Sequence, residues 1–362
     1  MITDRKKQIL ILDGKPYTAS EIHELACQGS IGTENAEAYR DLFLFLEQWF
    51  DSSPYLRVHT SGSTGKPKEQ FVEKSRMIQS ACMTCEYLNL QQGDTALLCM
   101  NLRYIGAMMM VVRALVSGLN LTVCNASGHP FDTQPSVHFT AMVPLQVYNT
   151  LQKKEERAKF KNTSIVLVGG GPVSLELEEE LRDFPNAVYS TYGMTETLSH
   201  IALRRLSGSL ASERYYPFSS VHLSLSPDET LVIDAPFIAK ETLSTNDIAR
   251  IYADGSFVIL GRKDNTINTG GIKIQAEQIE KKLSTVFSTA YAITSVPDPK
   301  LGEKIVLLVE RFEKTDDIET KIKNLLPPYE RPKQILYIDI LPLTENGKIN
   351  RAACKKLAEI AI

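Results

Sequence analysis

Three times in this chain a β-rich run is followed by a helical pattern: Tyr55 to Thr60 then Lys74 to Leu88, Ala96 to Met100 then Ile105 to Ser117, and Ser164 to Val168 then Ser174 to Asp183. Such alternation predicts an α/β fold of mostly parallel strands covered by helices, because parallel neighbours need a long crossover and a helix is the usual one. Ahead of these units Tyr39, Leu42, Phe43, Leu46, Trp49 and Phe50 recur at three- and four-residue spacing. That spacing puts the only tryptophan on the buried face of a helix ending near Asp51. Later, Leu231 to Ile233, Ile248 to Tyr252 and Phe257 to Leu260, with Asp254-Gly255 as a turn, read as a small antiparallel or mixed region.

Gly261-Arg262-Lys263-Asp264-Asn265 is polar and Gly-led, and the residues after it carry their own helices (Ala276 to Leu283, Asp317 to Leu325, and from Arg351 onward) and strands (Tyr291 to Val296, Ile305 to Arg311). We therefore expect a large domain over 1–263 and a small α+β domain over 264–362, a division that suits 362 residues. The net charge of −3, with no block of like charges, argues against nucleic acid as a partner. The most apolar late stretch, Ile105 to Val112, lies between Arg103 and Arg113 and is far short of the roughly 20 residues a membrane span needs. With a polar start at Met1-Ile2-Thr3-Asp4-Arg5, a cytoplasmic location without membrane insertion is expected. Cys82-Met83-Thr84-Cys85 has no second pair to complete a tetrad, so two thiols one helical turn apart are expected, with neither structural metal nor disulfide.

The sharpest local signal is Thr60-Ser61-Gly62-Ser63-Thr64-Gly65-Lys66-Pro67-Lys68. Its glycines permit tight turns, its hydroxyls and freed N–H groups can ligate phosphate oxygens, and its lysines add positive charge. It is not a Walker A loop: only two residues separate Gly62 from Gly65, and Pro67 stands where a magnesium-binding hydroxyl belongs. The run Ile165 to Val168 leads into Gly169-Gly170-Gly171, where missing side chains let a flat ligand approach the backbone. Tyr192-Gly193-Met194-Thr195-Glu196 then offers an aromatic face for a base, a hydroxyl for a phosphate and a carboxylate for Mg²⁺.

With Thr245-Asn246-Asp247, Gly261 to Asp264, Gly270-Gly271 and Gly347-Lys348-Ile349-Asn350-Arg351 following in order, the chain resembles the adenylate-forming family of acyl-CoA synthetases, adenylation domains and luciferases over residues 60 to 351. The resemblance implies ATP, Mg²⁺ and CoA as ligands, a small carboxylic acid as substrate, and a mobile carboxy-terminal domain. It implies that Thr60 to Lys68 hold the β- and γ-phosphates, Thr195 meets the α-phosphate and Glu196 holds Mg²⁺. Tyr192 would stack on adenine, Asp247 would bind the ribose hydroxyls, and Arg262 would reach ribose and phosphate. Lys348 would be the catalytic lysine, bridging carboxylate and α-phosphate. Asp264 matches the hinge, and Gly270, Gly271 and Lys273 fall on the CoA side. Joining two anions demands such fixed cations and donors.

Within the family, Met108 to Leu115, Tyr192 to Arg205 and Gly270 to Gln275 look most like the o-succinylbenzoate–CoA ligases of menaquinone biosynthesis. That acid keeps an aromatic carboxylate after its other one is activated, so its pocket needs a cation or several donors; Ser199, His200 and Arg204 are the candidates. Another aryl- or short-acyl-CoA ligase, an adenylation enzyme that loads a carrier protein, and a non-catalytic nucleotide-binding regulator are the alternative readings. Residues 1–57 make only a reduced form of the family's amino-terminal region, which leaves room for a homo-oligomer whose neighbouring copy completes the pocket.

Overall fold

A computed structural model describes residues 1–28, 35–60, 68–287, 289–311, 318–344 and 349–362. Its contacts gather the chain into two units, Met1–His222 with Ile233–Leu243, and Leu223–Val232 with Ser244–Ile362.

The first unit opens with a hairpin of β1 (Leu10–Leu12) and β2 (Lys15–Tyr17), followed by α1 (Ala19–Gln28) and α2 (Ala36–Phe50). Next come β3 (Tyr55–Thr60), β4 (Lys68–Glu73), α3 (Lys74–Tyr87), β5 (Thr95–Leu98), α4 (Ile105–Ser117), β6 (Asn120–Val123) and β7 (Phe139–Met142). Helices α5 (Pro144–Gln152) and α6 (Lys154–Asn162), strand β8 (Ile165–Val168), helix α7 (Leu175–Leu181), and strands β9 (Ala187–Gly193), β10 (His200–Arg205) and β11 (Tyr216–Pro217) complete it. The main sheet runs β11-β10-β9-β8-β7-β5-β6-β1-β2. From β9 through β1 each neighbour is parallel, and antiparallel strands close both edges. This is the expected α/β architecture. The chain leaves β5 through α4 for β6 on one side and then returns to β7 on the other, and at such a reversal the carboxyl ends of the strands open a crevice for ligands.

One expected unit is corrected. Tyr55 to Thr60 does not join the parallel sheet; it pairs antiparallel with β4, from Tyr55↔Glu73 to Thr60↔Lys68. The strand β4 escapes a sequence reading because Lys68-Glu69-Gln70-Phe71-Val72-Glu73 holds only two apolar residues, too few to show a two-residue period. On α2 the stripe is buried at Tyr39, Leu42, Phe43, Leu46 and Trp49, with Phe50 at the helix end only half-buried, and the Trp49 indole donates to Gln8 Oε1 at 2.9 Å. Helix α4 is buried all round from Ala107 to Ser117, as a helix through the middle of a core must be, and Gly118 ends it in the left-handed region (φ 66°). Among the described residues no helix is long and apolar enough to cross a membrane.

In the second unit β12 (His222–Leu225), β13 (Thr230–Asp234), β14 (Leu243–Ile251) and β15 (Phe257–Arg262) form one sheet. Strands β16 (Thr266–Thr269) and β17 (Ile272–Gln275), helix α8 (Ala276–Leu283), strands β18 (Tyr291–Asp298) and β19 (Gly302–Glu310), helix α9 (Ile318–Leu325), strand β20 (Gln334–Ile338) and helix α10 (Arg351–Ala361) follow. The second sheet runs β17-β16-β19-β18, with β20 parallel to β19. Alternation along β19 fills both its faces: Ile305, Leu307 and Val309 pack with Ile279 and Ile322, while Val306 and Leu308 pack with Cys354 and Ala358.

Candidate active site

In the first unit the candidate residues gather at the carboxyl edge of the sheet. Strands β8 and β9 are in register as Val168↔Ser190, so Gly169 to Gly171 emerge beside Thr191, Tyr192 and Gly193. A Cβ on Gly169 would lie 2.5 Å from Thr191 Oγ1, and one on Gly193 would lie 2.3 Å from the Ser199 carbonyl oxygen and 2.6 Å from His200 Cα. The second contact is with backbone and has no way to give, so only glycine lets β9 and β10 close there. Between them Thr195–Thr197 makes a 3₁₀ turn, stitched by Met194 N–H to Thr197 Oγ1 at 2.9 Å and Leu198 N–H to the Thr195 carbonyl at 2.9 Å. Leu198 then sits at φ 63°, a conformation that costs a side-chain-bearing residue about 1–3 kcal/mol. The strained turn leaves Glu196 exposed, with no partner among the described residues. No three His, Cys, Asp or Glu side chains among those residues gather as a metal centre. A single free carboxylate suits magnesium, which keeps waters and substrate phosphates as its other ligands.

Beyond the turn, the structure assembles a group the sequence reading only half foresaw. Ser199 and His200 meet Arg113 of α4 and Thr84 of α3: Arg113 Nη2 to Ser199 Oγ is 2.7 Å, Ser199 Oγ to His200 Nδ1 3.3 Å, His200 Nε2 to Thr84 Oγ1 3.0 Å, and Thr84 Oγ1 to the Ser80 carbonyl 3.1 Å. The proton positions follow from the two ends. A guanidinium only donates and a carbonyl only accepts, and each hydroxyl has one proton, so every donor points from Arg113 toward Ser80 and His200 is assigned the Nε2–H tautomer. Burial, with the Arg113 charge beside it, holds His200 well below the ordinary imidazole range, and the ring is neutral. Arg113 is itself buried, which pulls its guanidinium down to about 10 and leaves it charged at neutral pH. Among the described residues its Nε has no hydrogen-bond partner and no carboxylate pairs with it. Arg113 was legible as a lone cation in the apolar text Met108 to Leu115; Thr84 had no signal beyond sharing a helix with two cysteines, which lie on α3 as free thiols.

Arg204, expected beside Ser199 and His200, is occupied elsewhere: both its terminal nitrogens donate to the Glu178 carboxylate of α7.

In the second unit Asp247 and Arg262 are direct partners across β14 and β15, and Arg262 reaches Asp247 Oδ1 at 3.3 Å and Asp264 Oδ2 at 3.2 Å. Asn246 also donates to Asp264 Oδ2, at 3.2 Å, so the two ribose-side candidates and the hinge candidate share one network. Gly270 and Gly271 form the two-residue tip of the β16–β17 hairpin, with φ of 59° and 82°, the positive values such a turn requires. Lys273 is exposed on β17, opposite Asn268. Ser61, Gly62, Ser63, Thr64, Gly65, Lys66 and Lys348 lie outside the described residues, and of Thr60 and Lys68 only the backbone, at the ends of β3 and β4, is described.

The family model for AMP-binding enzymes matches residues 9–236. The chain belongs to the AMP-binding enzyme family. Among solved structures, an acyl-CoA synthetase (AMP-forming)/AMP-acid ligase II-like protein from Dyadobacter fermentans is 33% identical, with a TM-score of 0.63 over 90% of this chain and 96% of that one. A protein named 2-succinylbenzoate–CoA ligase in Listeria monocytogenes serotype 4b is 26% identical, over 86% of this chain and 72% of its own. The o-succinylbenzoate CoA synthetase of Bacillus subtilis, solved with its acyl-adenylate intermediate, shares the fold with a TM-score of 0.70 at 22% identity, over 83% of this chain and 68% of that one. The chain is thus an AMP-binding enzyme of the ligase type, and the resemblance read from its motifs holds.

Proposed function

We propose that this AMP-binding enzyme is an ATP- and Mg²⁺-dependent o-succinylbenzoate–CoA ligase. One observation carries the choice of acid: Arg113 is a buried cation with no carboxylate paired to it among the described residues, beside the strand that follows Tyr192 to Glu196. A charge in low dielectric is costly unless paired. An acid that keeps one carboxylate while the other reacts brings the missing charge, whereas a monoacid does not. The relatives named for this activity support the same choice.

In the first half-reaction the acid's other carboxylate attacks the α-phosphorus of ATP and the bond to pyrophosphate breaks. Thr60 to Lys68 hold the departing phosphates, Thr195 donates to the α-phosphate, and Lys348 steadies the charge of both anions as they meet. Gly169 to Gly171 and Tyr192 make room for adenine, while Asp247 and Arg262 take the ribose. Glu196 would hold Mg²⁺, which supplies charge neutralisation on the phosphates. In the second half-reaction the residues after Asp264 swing about it, withdrawing Lys348 and bringing up Gly270, Gly271 and Lys273, and the CoA thiolate attacks the acyl carbon, expelling AMP.

The test is pyrophosphate and AMP release with ATP, Mg²⁺ and CoA, across o-succinylbenzoate, benzoates and short fatty acids. CoA-stimulated turnover should be confined to o-succinylbenzoate, and Arg113→Met should raise the KM for that acid on the order of a hundredfold. Equal turnover of monoacids, or an Arg113→Met enzyme with unaltered KM, would remove o-succinylbenzoate as the substrate.

A further inference from the structure

Strand alternation puts Ser190 and Tyr192 on one face of β9, and the β10 register places Arg204 opposite Ser190 and Ala202 opposite Tyr192. Onto this face the chain lays Tyr215, from the segment just before β11. Its hydroxyl lies 2.9 Å from Ser190 Oγ, and its ring centroid is 5.8 Å from that of Tyr192, tilted by 57°. The Arg204 guanidinium stands over the Tyr215 ring, 5.4 Å from its centroid. Arg204 is in turn held by Glu178, with Nη1 donating to Oε2 at 2.9 Å and Nη2 to Oε1. Carboxylate, guanidinium and two aromatic rings thus form a continuous chain of contacts, each fixing the next.

We infer that Tyr215, steadied by Arg204 and Glu178, is a positioning residue for the Tyr192 ring and so sets the enzyme's affinity for the nucleotide base without entering the chemistry. The inference rests on the reading above, in which Tyr192 is the wall for adenine. A phenol held at its hydroxyl by Ser190 and on its face by a cation has little freedom, and the ring it leans on inherits that restraint. A wall already in place spares the nucleotide the cost of ordering it. Arg204, sought at the acid, serves the base.

The experiment compares Tyr215→Leu and Tyr215→Phe with wild type by KM for ATP, acid and CoA, by kcat, by calorimetric titration with AMP, and by inhibition with tripolyphosphate, which shares the phosphates but has no base. Tyr215→Leu should raise the ATP KM and the AMP dissociation constant by about tenfold and leave the other KM values, kcat and the tripolyphosphate inhibition constant within about twofold. Tyr215→Phe keeps the ring under Arg204 but loses the hold of Ser190 on the hydroxyl, and should raise the ATP KM and the AMP dissociation constant about threefold, with the acid and CoA KM values unchanged. If Tyr215→Leu does not fold, Tyr215→Phe still decides: an unchanged ATP KM and AMP dissociation constant overturn the inference. A loss shared by ATP, acid and tripolyphosphate, or no loss, also overturns it. Failure of wild type to bind AMP would instead sink the nucleotide reading on which the inference rests.

Discussion

His200 is neutral inside a chain of donors that all point one way, and that has a measurable cost in acid. In the unfolded chain a histidine takes up a proton near pH 6.5, whereas the folded ring, buried beside Arg113, holds out to much lower pH. Over that window the unfolded state binds the extra proton, so stability falls as pH falls below about 6.5, by up to about 1.4 kcal/mol per unit. Denaturant unfolding at pH 7.5 and 5.5 should show this loss in wild type and a smaller one in His200→Gln. Parallel losses in the two proteins would mean that some other group titrates. Thr84, which accepts from the His200 ring, and Arg113, which starts the chain, come from helices far away in sequence. Only packing brings them to Ser199 and His200, which is why motif reading named those two as candidates and not the pair that gives them their setting.

At the scale of elements, the β9–β10 pair is closed by a residue with no side chain. Gly193→Ala would press a methyl carbon into the Ser199 carbonyl and the His200 backbone. The strands must part there, at a cost of about 1–3 kcal/mol for forced overpacking, and the turn carrying Thr195 and Glu196 moves with them. A lower urea midpoint together with weakened AMP binding is expected; weakened binding at unchanged stability would mean that the turn adjusts without moving β10. Elements with a strong local pattern were legible in sequence: α2 through its stripe of Tyr39 to Trp49, β8 through four apolar residues, and α4 through an apolar run interrupted by Arg113. Where polar residues filled a strand, as in β4, its pairing with β3 was hidden, because a two-stranded hairpin need bury little of either face.

For the whole molecule, the proposed reaction asks different parts of the chain to act in turn. Lys348→Ala should cut adenylate formation by orders of magnitude while thioester formation from preformed acyl adenylate persists. Asp264→Pro should do the converse, sparing pyrophosphate release and slowing transfer to CoA. Rapid-quench measurement of the two half-reactions separates these outcomes, and equal loss of both steps in either variant would discard the two-state scheme. Order along the chain made the family legible, since short motifs each sit within one stretch of sequence. The Arg204–Glu178 and Asp264–Arg262 pairings were not, because nothing in the local sequence of either partner points to the other.

The antiparallel pairing of Tyr55–Thr60 with Lys68–Glu73 has one further implication. In P-loop proteins the phosphate-gripping segment runs into a helix, whose first N–H groups bond the anion directly at short range. In the proposed phosphate grip the chain passes from residues 61–67 into strand β4, so no helix dipole follows the loop and its side-chain charge would be that of Lys66 and Lys68. Point charges at a surface are screened over about 8 Å at physiological ionic strength. The affinity of this enzyme for polyphosphate should therefore decline with added salt more steeply than that of a P-loop enzyme of equal strength.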